Sequence, residues 1–478
     1  MGQNHREPMN KAAKTLDGHG FLSVVSRAEF AALLASVAPL ATEDVAVEQA
    51  LGRVLACAVL SPEDLPQTAR ACMDGYALTA RDVFGASETN PAYVDCVADL
   101  RIDWHQGGHQ GPHEGGHQAG HQGGQDSGAG RDIRLSPGQA ARIPTGGSLP
   151  EGADAVVMVE YTGRLAGQLG NDQLDAGTAE TVETAGTSET IEVRKSPAPG
   201  ENVMLPGEDM RQGDIALPQG RTLRAQDIGL LAALGVTHIK TGRRPRVGVL
   251  STGDELVPAS ATPRPGQIRD VNSCALCCLA EEAGAEAVAL GIIPDDLPQL
   301  TEALAAALAQ CDVVLLSGGS SLGARDHTNA AMLAQPGATI LAHGIAMSPG
   351  KPTILARVGA RAGGKTIIGL PGQVTSAQVV MSVLIKPFLR HLAGDGSALS
   401  AAPPAFVAEL SRNIASRPGR EDFVRVRLEA RPGAVPLAHP VLGKSGLLKT
   451  LLDADGLIAV PANAEGLYKG ALAPVFPL

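Results

Sequence analysis

Three short loops carry the residue types that hold an oxyanion or a phosphate: Ser251-Thr252-Gly253-Asp254-Glu255, Ser317-Gly318-Gly319-Ser320-Ser321-Leu322-Gly323 and Leu370-Pro371-Gly372-Gln373. Glycine lets a backbone approach a ligand closely, and amides at loop and helix starts point donors at negative charge. Acidic groups beside such loops suit Mg2+, which takes oxygen ligands and bridges to phosphate oxygens. Asp254 and Glu255 fit that description, as does Asp326, just beyond the second loop in Ala324-Arg-Asp-His-Thr328. Asp74 and Asp209 lie on turns of another region, where a single Asp is ordinarily an Asx-turn former, so only joint placement near the loops lifts the functional reading. Two cations complete the set. Lys351 sits in the Pro-braced turn Met347-Ser-Pro-Gly-Lys-Pro-Thr353 and Arg269 in Gly266-Gln-Ile-Arg-Asp-Val-Asn272, each placed to meet an anion unless simply solvated.

Each loop directly follows a short apolar run: Arg246 to Leu250, Asp312 to Leu316 and Thr366 to Leu370. Their length and β-branched content read as buried strands, and helical patterns lie between them. The segment therefore predicts a parallel, doubly wound α/β sheet. In such a sheet the strand C-termini face one edge, so loops distant in sequence converge where ligands bind.

The chain has 478 residues, enough for about three to four domains. Its hydrophobic fraction of 44% is that of a globular protein, while 3% aromatics implies cores of Ala, Val and Leu. A formal net charge of −11 argues against a nucleic-acid binder that works through a general basic surface. The seven cysteines form no disulfide framework, and their odd number fits a reducing compartment. Cys274, Cys277 and Cys278 read as small buried helix residues rather than a metal or redox site. With no run of 18 apolar residues, no signal core and Arg6 where a myristoylation motif wants Ser or Thr, a cytoplasmic protein without a membrane span follows.

Along the chain, residues 1–20 read as disordered. Ser26 caps a predicted helix from Arg27 to Val37 with Glu29 near the capping-box position, and Val45 to Leu60 reads as a second helix. Short strands then continue to about residue 220. They are interrupted by a Gly/Gln/Pro-rich repeat with His105, His109, His113, His117 and His121, and by an acidic Gly/Thr/Ala segment over 165–190. The evenly spaced imidazoles could take up nickel or zinc, but the Gly and Pro content reads as a flexible inserted loop. A helix from Arg224 to Leu234 leads into the α/β segment, which closes with a helix from Thr375 to His391. Gly394 to Pro404 reads as a linker, and three short strand patterns beyond it predict a small all-β domain.

The strings CMDGYAL (72–78), IPTGGSLPEGADAVVMVE (143–160), PGEDM (206–210), STGDEL (251–256), GQIRDVNS (266–273), SGGSSLGARDHT (317–328), PGKPT (349–353) and LPG (370–372) together resemble molybdopterin molybdenumtransferase, the MoeA-type molybdenum insertase. They are also similar to the insertase part of gephyrin. The resemblance runs from about residue 21 to the end, apart from the two inserts. It implies four parts: an elongated linking domain (21–65 and 200–240), a β-rich domain (66–199, with inserts at 105–130 and 165–190), a molybdopterin-binding α/β domain (241–395) and a C-terminal small β-barrel (404–478). It also implies a homodimer whose site lies between the α/β domain of one subunit and the β-rich domain of the other.

The reaction implied is that of adenylylated molybdopterin with molybdate, giving molybdenum cofactor and AMP with Mg2+. Asp326, Asp74, Asp209 and Glu255 then become the catalytic candidates, with Asp326, Glu255 and Asp209 the Mg2+ ligands. Thr145, Asp254, Arg269, Ser317, Gly318, Gly319, Ser321, Lys351, Pro371 and Gly372 become substrate-binding candidates. Molybdopterin adenylyltransferase and recipient molybdoenzymes are the implied partners. Many members carry a lysine where this chain has Ser348, which leaves tungstate as an alternative oxyanion. A related class uses the α/β domain alone to adenylylate molybdopterin, whereas this chain carries every insertase region. A non-enzymatic scaffold would lose the acidic residues, and Asp74, Asp209, Glu255 and Asp326 are present.

Overall fold

The first helix begins as its sequence dictates. In the computed structural model Ser26 Oγ accepts from the Glu29 amide at 3.1 Å and Glu29 Oε2 accepts from the Ser26 amide at 2.8 Å. This capping box stabilises the helix by about 1 kcal/mol. The helix spans Arg27–Ala35, two residues short of the predicted end, and buries Phe30 and Leu34 in the core of the α/β sheet.

The structure describes residues 24–100, 133–165, 189–318, 322–359, 364–400 and 406–478, with the backbone only for 322–326. The 1–20 segment, the histidine repeat, most of the 165–190 insert, Gly319, Ser320, Ser321 and the Asp326 side chain lie outside the described residues. The chain forms two compact units: residues up to Ala58 together with Pro218–Leu478, and Val59–Leu217.

The helix expected over Val45 to Leu60 does not form. Thr42–Ala46 is instead a strand paired antiparallel with His238–Gly242, followed by the single 3-10 turn Val47–Gln49. Gly52 then adopts φ 75°, and Val54 and Leu55 form bridges to Thr222 and Thr241. A left-handed residue ends any helix, and β-branched Val45 and Val47 favour the extended chain once a partner strand exists.

The α/β region contains β1 (Arg246–Thr252), α1 (Asn272–Glu282), β2 (Glu286–Ile293), α2 (Leu297–Gln310), β3 (Val313–Gly318), α3 (Leu322–Leu333), β4 (Ala338–His343), β5 (Ile354–Val358), β6 (Lys365–Leu370) and α4 (Val374–Val380). The sheet order is β2-β1-β3-β6-β5-β4. The central strands run parallel as predicted, with Val249, Leu315 and Ile368 in register at the centre. β5 is reversed, so the sheet is mixed rather than parallel throughout. The reason is connection length: the links on either side of β5 are too short for a crossover, and short links make antiparallel neighbours. Apolar side chains fill both faces, with Phe388, Leu276 and Val380 on one side and Leu304, Leu316 and Met332 on the other. The closing helix is continuous to Leu392 but includes a π-helical turn, Met381–Ile385.

The predicted C-terminal strands form a closed five-stranded barrel. Glu421–Glu429 pairs with both Leu437–Pro440 and Gly456–Val460, and the circuit closes through Phe406–Leu410 and Leu472–Pro477. Met347–Ser348 adds to its edge. Val59–Leu217 is built on a six-stranded sheet in which Gly75–Leu78 lies between Ala155–Met158 and Gln139–Ile143. Tyr76 and Leu78 face one core of this unit, and Ala77, Ile143 and Val156 face the other.

The three neighbouring cysteines do lie on a helix, but the burial expected of them is wrong. Cys274 and Cys278 are exposed and Cys277 is half-buried, because the helix turns Leu276 and Ala280 inward instead. Burial and the nearby Glu281 push the Cys277 thiol up to about 11, so it is protonated at neutral pH. Among the described residues no helix is long and apolar enough to cross a membrane.

Candidate functional site at the strand ends

β1 and β3 lie side by side, with Ser251 opposite Ser317 and Thr252 opposite Gly318. Their ends, the Pro371-Gly372 turn after β6 and the start of α1 enclose a cavity of about 500 Å3. Ser251, Thr252, Glu255, Arg269, Asp270, Asn272, Ser317, Gly318, Gly372 and Gln373 line it, with Gly446 and Leu448 of the barrel. Such a volume suits a small-molecule ligand. A second cavity of about 250 Å3 opens beside it and shares Gly318, Gly372 and Gln373.

The two strands approach closely because Gly318 has no side chain. Its φ is 145°, and a Cβ there would lie 2.0 Å from the Thr252 carbonyl oxygen. Buried polar contacts then fix the floor. Ser273 Oγ donates to Asp270 Oδ2 at 2.5 Å, so Ser251 Oγ, 3.0 Å from Ser273 Oγ, must be the donor in that pair. Asn272 Nδ2 donates to Ser317 Oγ at 2.7 Å and to the Gly372 carbonyl at 3.0 Å, which joins α1, β3 and the turn after β6. The Asn272 Oδ1 atom is buried without a partner.

A second hub braces the rim. Thr252 Oγ1 donates to Asp295 Oδ1 at 2.8 Å, and the Asp295 amide donates to Asp254 Oδ1 at 3.1 Å. His327 Nδ1 lies 3.1 Å from the Asp295 carbonyl. A carbonyl only accepts, so Nδ1 carries the proton and ties α3 to the loop after β2.

The structure thus brings Ser317, Gly318, Gly372, Glu255 and Arg269 to one cavity, with Glu255 and Arg269 exposed. Arg269 Nε donates to the Ala261 carbonyl at 3.0 Å, which holds its side chain against its own loop. Pro371 is buried behind the wall, and Asp254 is engaged with Asp295. Lys351 is exposed and is not among the residues lining this cavity, although the following Pro352 lines the smaller one. Asn272, Asp270, Ser273 and Asp295 were not singled out from the sequence. Only the convergence of three strand ends gives Asn272 and Ser273 a role.

Asp74 and Thr145 meet within the other unit. Asp74 Oδ1 accepts from the Thr145 amide at 2.6 Å and from Thr145 Oγ1 at 2.8 Å. Asp74 also lines a cavity of about 450 Å3 with Asp99 and Arg142, whereas Asp209 sits on the turn bonded to Leu65 and does not line it. The two Thr145 hydrogen bonds, backbone first, hold the Asp74 carboxyl below its ordinary value, and Arg142 adds to this. Bonds to the charged form stabilise it, so this contribution is present above the unfolded-state value near ~3.9 and is lost as pH falls through the lower folded one. Carbon NMR is expected to show Asp74 titrating below ~3.9, with Thr145→Val moving the midpoint upward. An unchanged midpoint in that variant would remove the hydroxyl as a cause.

Comparison with known proteins finds matches over nearly the whole chain. Residues 25–235 match the family described as MoeA N-terminal region (domain I and II), 248–391 the probable molybdopterin binding domain and 407–478 the MoeA C-terminal region (domain IV). The chain is 32% identical over 432 residues to molybdopterin molybdenumtransferase of Nostoc, covering 90% of this chain and 87% of that one. It is 30% identical to the Bacillus subtilis protein of that name, covering 90% and 88%. The MoeA protein of Pyrococcus horikoshii has a similar structure, with a TM-score of 0.68 at 32% identity, covering 95% of this chain and 99% of that one.

Proposed function

Because this chain belongs to the molybdopterin molybdenumtransferase family, an enzyme family of molybdenum cofactor biosynthesis, we propose that it joins molybdate to adenylylated molybdopterin and releases AMP. The observation that carries this reading is the cavity where Ser251, Ser317, Gly318 and Gly372 meet at the strand ends. Molybdate is a tetrahedral dianion and needs converging donors. In this reading the Arg269 guanidinium supplies them at the cavity, with Lys351 and the Gly319–Ser321 stretch as further donors. Asp74 and Asp209 are assigned catalytic roles on the family pattern, and the active assembly is a homodimer.

Mg2+ is the implied cofactor. Among the described residues no group of three His, Cys, Asp or Glu side chains is gathered to hold a metal. Mg2+ ordinarily takes one or two protein carboxylates and completes its shell with phosphate oxygens and water. The exposed Glu255 carboxylate on the cavity wall fits that need, and Asp326 is assigned as the second ligand on the family pattern. When bound, the ion would neutralise charge on the pyrophosphate. The chain's own contribution is positioning and electrostatics: the floor hydrogen bonds hold Ser317, and the Asp295 hub holds the rim. No nucleophilic side chain is needed: water, or a molybdate oxygen whose adenylyl ester water then cleaves, attacks the adenylyl phosphorus and displaces the pterin phosphate, giving AMP.

The test is incubation of the purified protein with adenylylated molybdopterin, Mg2+ and either molybdate or tungstate. Oxyanion-dependent AMP release is expected, with more release from molybdate. A larger signal from tungstate would assign that metal instead, and tight pterin binding without release would make the protein a scaffold.

A further inference from the structure

Asn272 is 7% exposed, and its amide orientation is fixed by chemistry. Its Nδ2 faces the Gly372 carbonyl at 3.0 Å, and two oxygens that only accept cannot face each other, so the nitrogen must lie on that side. Oδ1 is thereby left as a buried acceptor with no partner, in a residue that lines the strand-end cavity. A buried acceptor without a donor is costly, and its cost is relieved only by a group that brings an N–H or O–H. Beside it, Ser317 Oγ already accepts from Asn272 at 2.7 Å, which leaves the Ser317 hydroxyl proton free to be donated. Just behind the cavity wall an acceptor and a donor thus lie next to each other. An oxyanion matches only the donor and is repelled by Oδ1.

We propose that Asn272 Oδ1 and the Ser317 hydroxyl read the hydrogen-bonding edge of the pterin ring, Oδ1 accepting from the ring N3–H and Ser317 donating to the adjacent 4-carbonyl. The proposal rests on the pterin-binding reading above and adds the residues that select the ring. It places the pterin ring, not the oxyanion, against Asn272. Oδ1 is closed off from water in the empty site, so the wall around it yields when the ring enters, as binding-site side chains commonly do. Adenine carries a comparable donor and acceptor in its 6-amino group and N1, so the two halves of an adenylylated pterin must be told apart by experiment.

The probe is pterin-6-carboxylate, whose fluorescence reports binding, compared with its N3-methyl derivative, which keeps the 4-carbonyl but lacks the donor. The full-length wild-type protein is expected to bind the unmethylated ring about tenfold more tightly. Asn272→Ala should reduce that ratio to near unity, while Ser317→Ala should weaken both ligands and leave the ratio standing. Thermal melts identify a variant that does not fold, and the wild-type ratio then still decides whether N3–H is read. Equal affinity of wild type for the two ligands overturns the assignment while leaving pterin binding intact. No binding of either removes the pterin reading itself. Competition by AMP that depends on Asn272 in the same way would overturn the pterin assignment in favour of adenine.

Discussion

Gly318→Ala is expected to lower kcat/KM for AMP release by about a hundredfold or more and to destabilise the protein by ~3 kcal/mol. Both effects have one origin. The residue has φ 145°, and the new Cβ would meet the Thr252 carbonyl oxygen at 2.0 Å. That oxygen belongs to the backbone, so the contact is relieved only by separating the ends of β1 and β3. Thr252 is itself held to Asp295, and Asp295 to Asp254, so the shift would spread along the rim. Ser317, the residue before Gly318, would lose its place against Asn272. Steady-state assays beside thermal unfolding check this. A variant that melts with the wild type and turns over normally would mean the strand ends part without cost.

Asp326→Asn is expected to reduce AMP release roughly a thousandfold while leaving the melting temperature and the oligomeric state unchanged. The substitution keeps the shape of the side chain and removes its charge, which is the property a magnesium ligand contributes. Asp326 lies in α3, and its neighbour His327 is anchored to the Asp295 carbonyl. The local backbone is therefore tied to the rim independently of the carboxylate. The informative comparison is turnover across a magnesium titration. Normal turnover at every concentration would remove Asp326 from the mechanism.

The parts of the fold that could be read from sequence are those decided by local chemistry. The runs ending at Leu250, Leu316 and Leu370 are apolar and β-branched and are followed by glycine, so strands ending in close-approach loops were legible. The Ser26 and Glu29 pair marked a helix start for the same reason. Local sequence misleads where the decisive partner is remote. Thr42–Ala46 is a strand because His238–Gly242 completes it, and nothing near residue 45 reports that. The reversal of β5 was readable from its short flanking links but is hidden if apolar runs alone are followed. Cys274 and Cys278 looked like core residues because composition says nothing about which side of a helix faces inward.

At the site, the serines and glycines were legible because their types suit anion-binding loops. Asn272 was not, since an amide at a helix start is normally a cap. Its importance comes from two hydrogen bonds to residues 45 and 100 positions away. Asp209 shares residue type and a turn setting with Asp74, yet it does not line the cavity that Asp74 lines.

The unit Val59–Leu217 interrupts another unit, and this sets a timetable for synthesis. Thr42–Ala46 leaves the ribosome about 190 residues before its partner strand His238–Gly242. At ordinary translation rates of 5–20 residues per second, that is a wait of roughly 10–40 s. Phe30 and Leu34 wait longer still, because Phe388 and Leu389 of their core are made near the end of the α/β region. The inserted unit can therefore close while its host is still an open chain, and the nascent N-terminal segment must be shielded from wrong apolar partners throughout that interval.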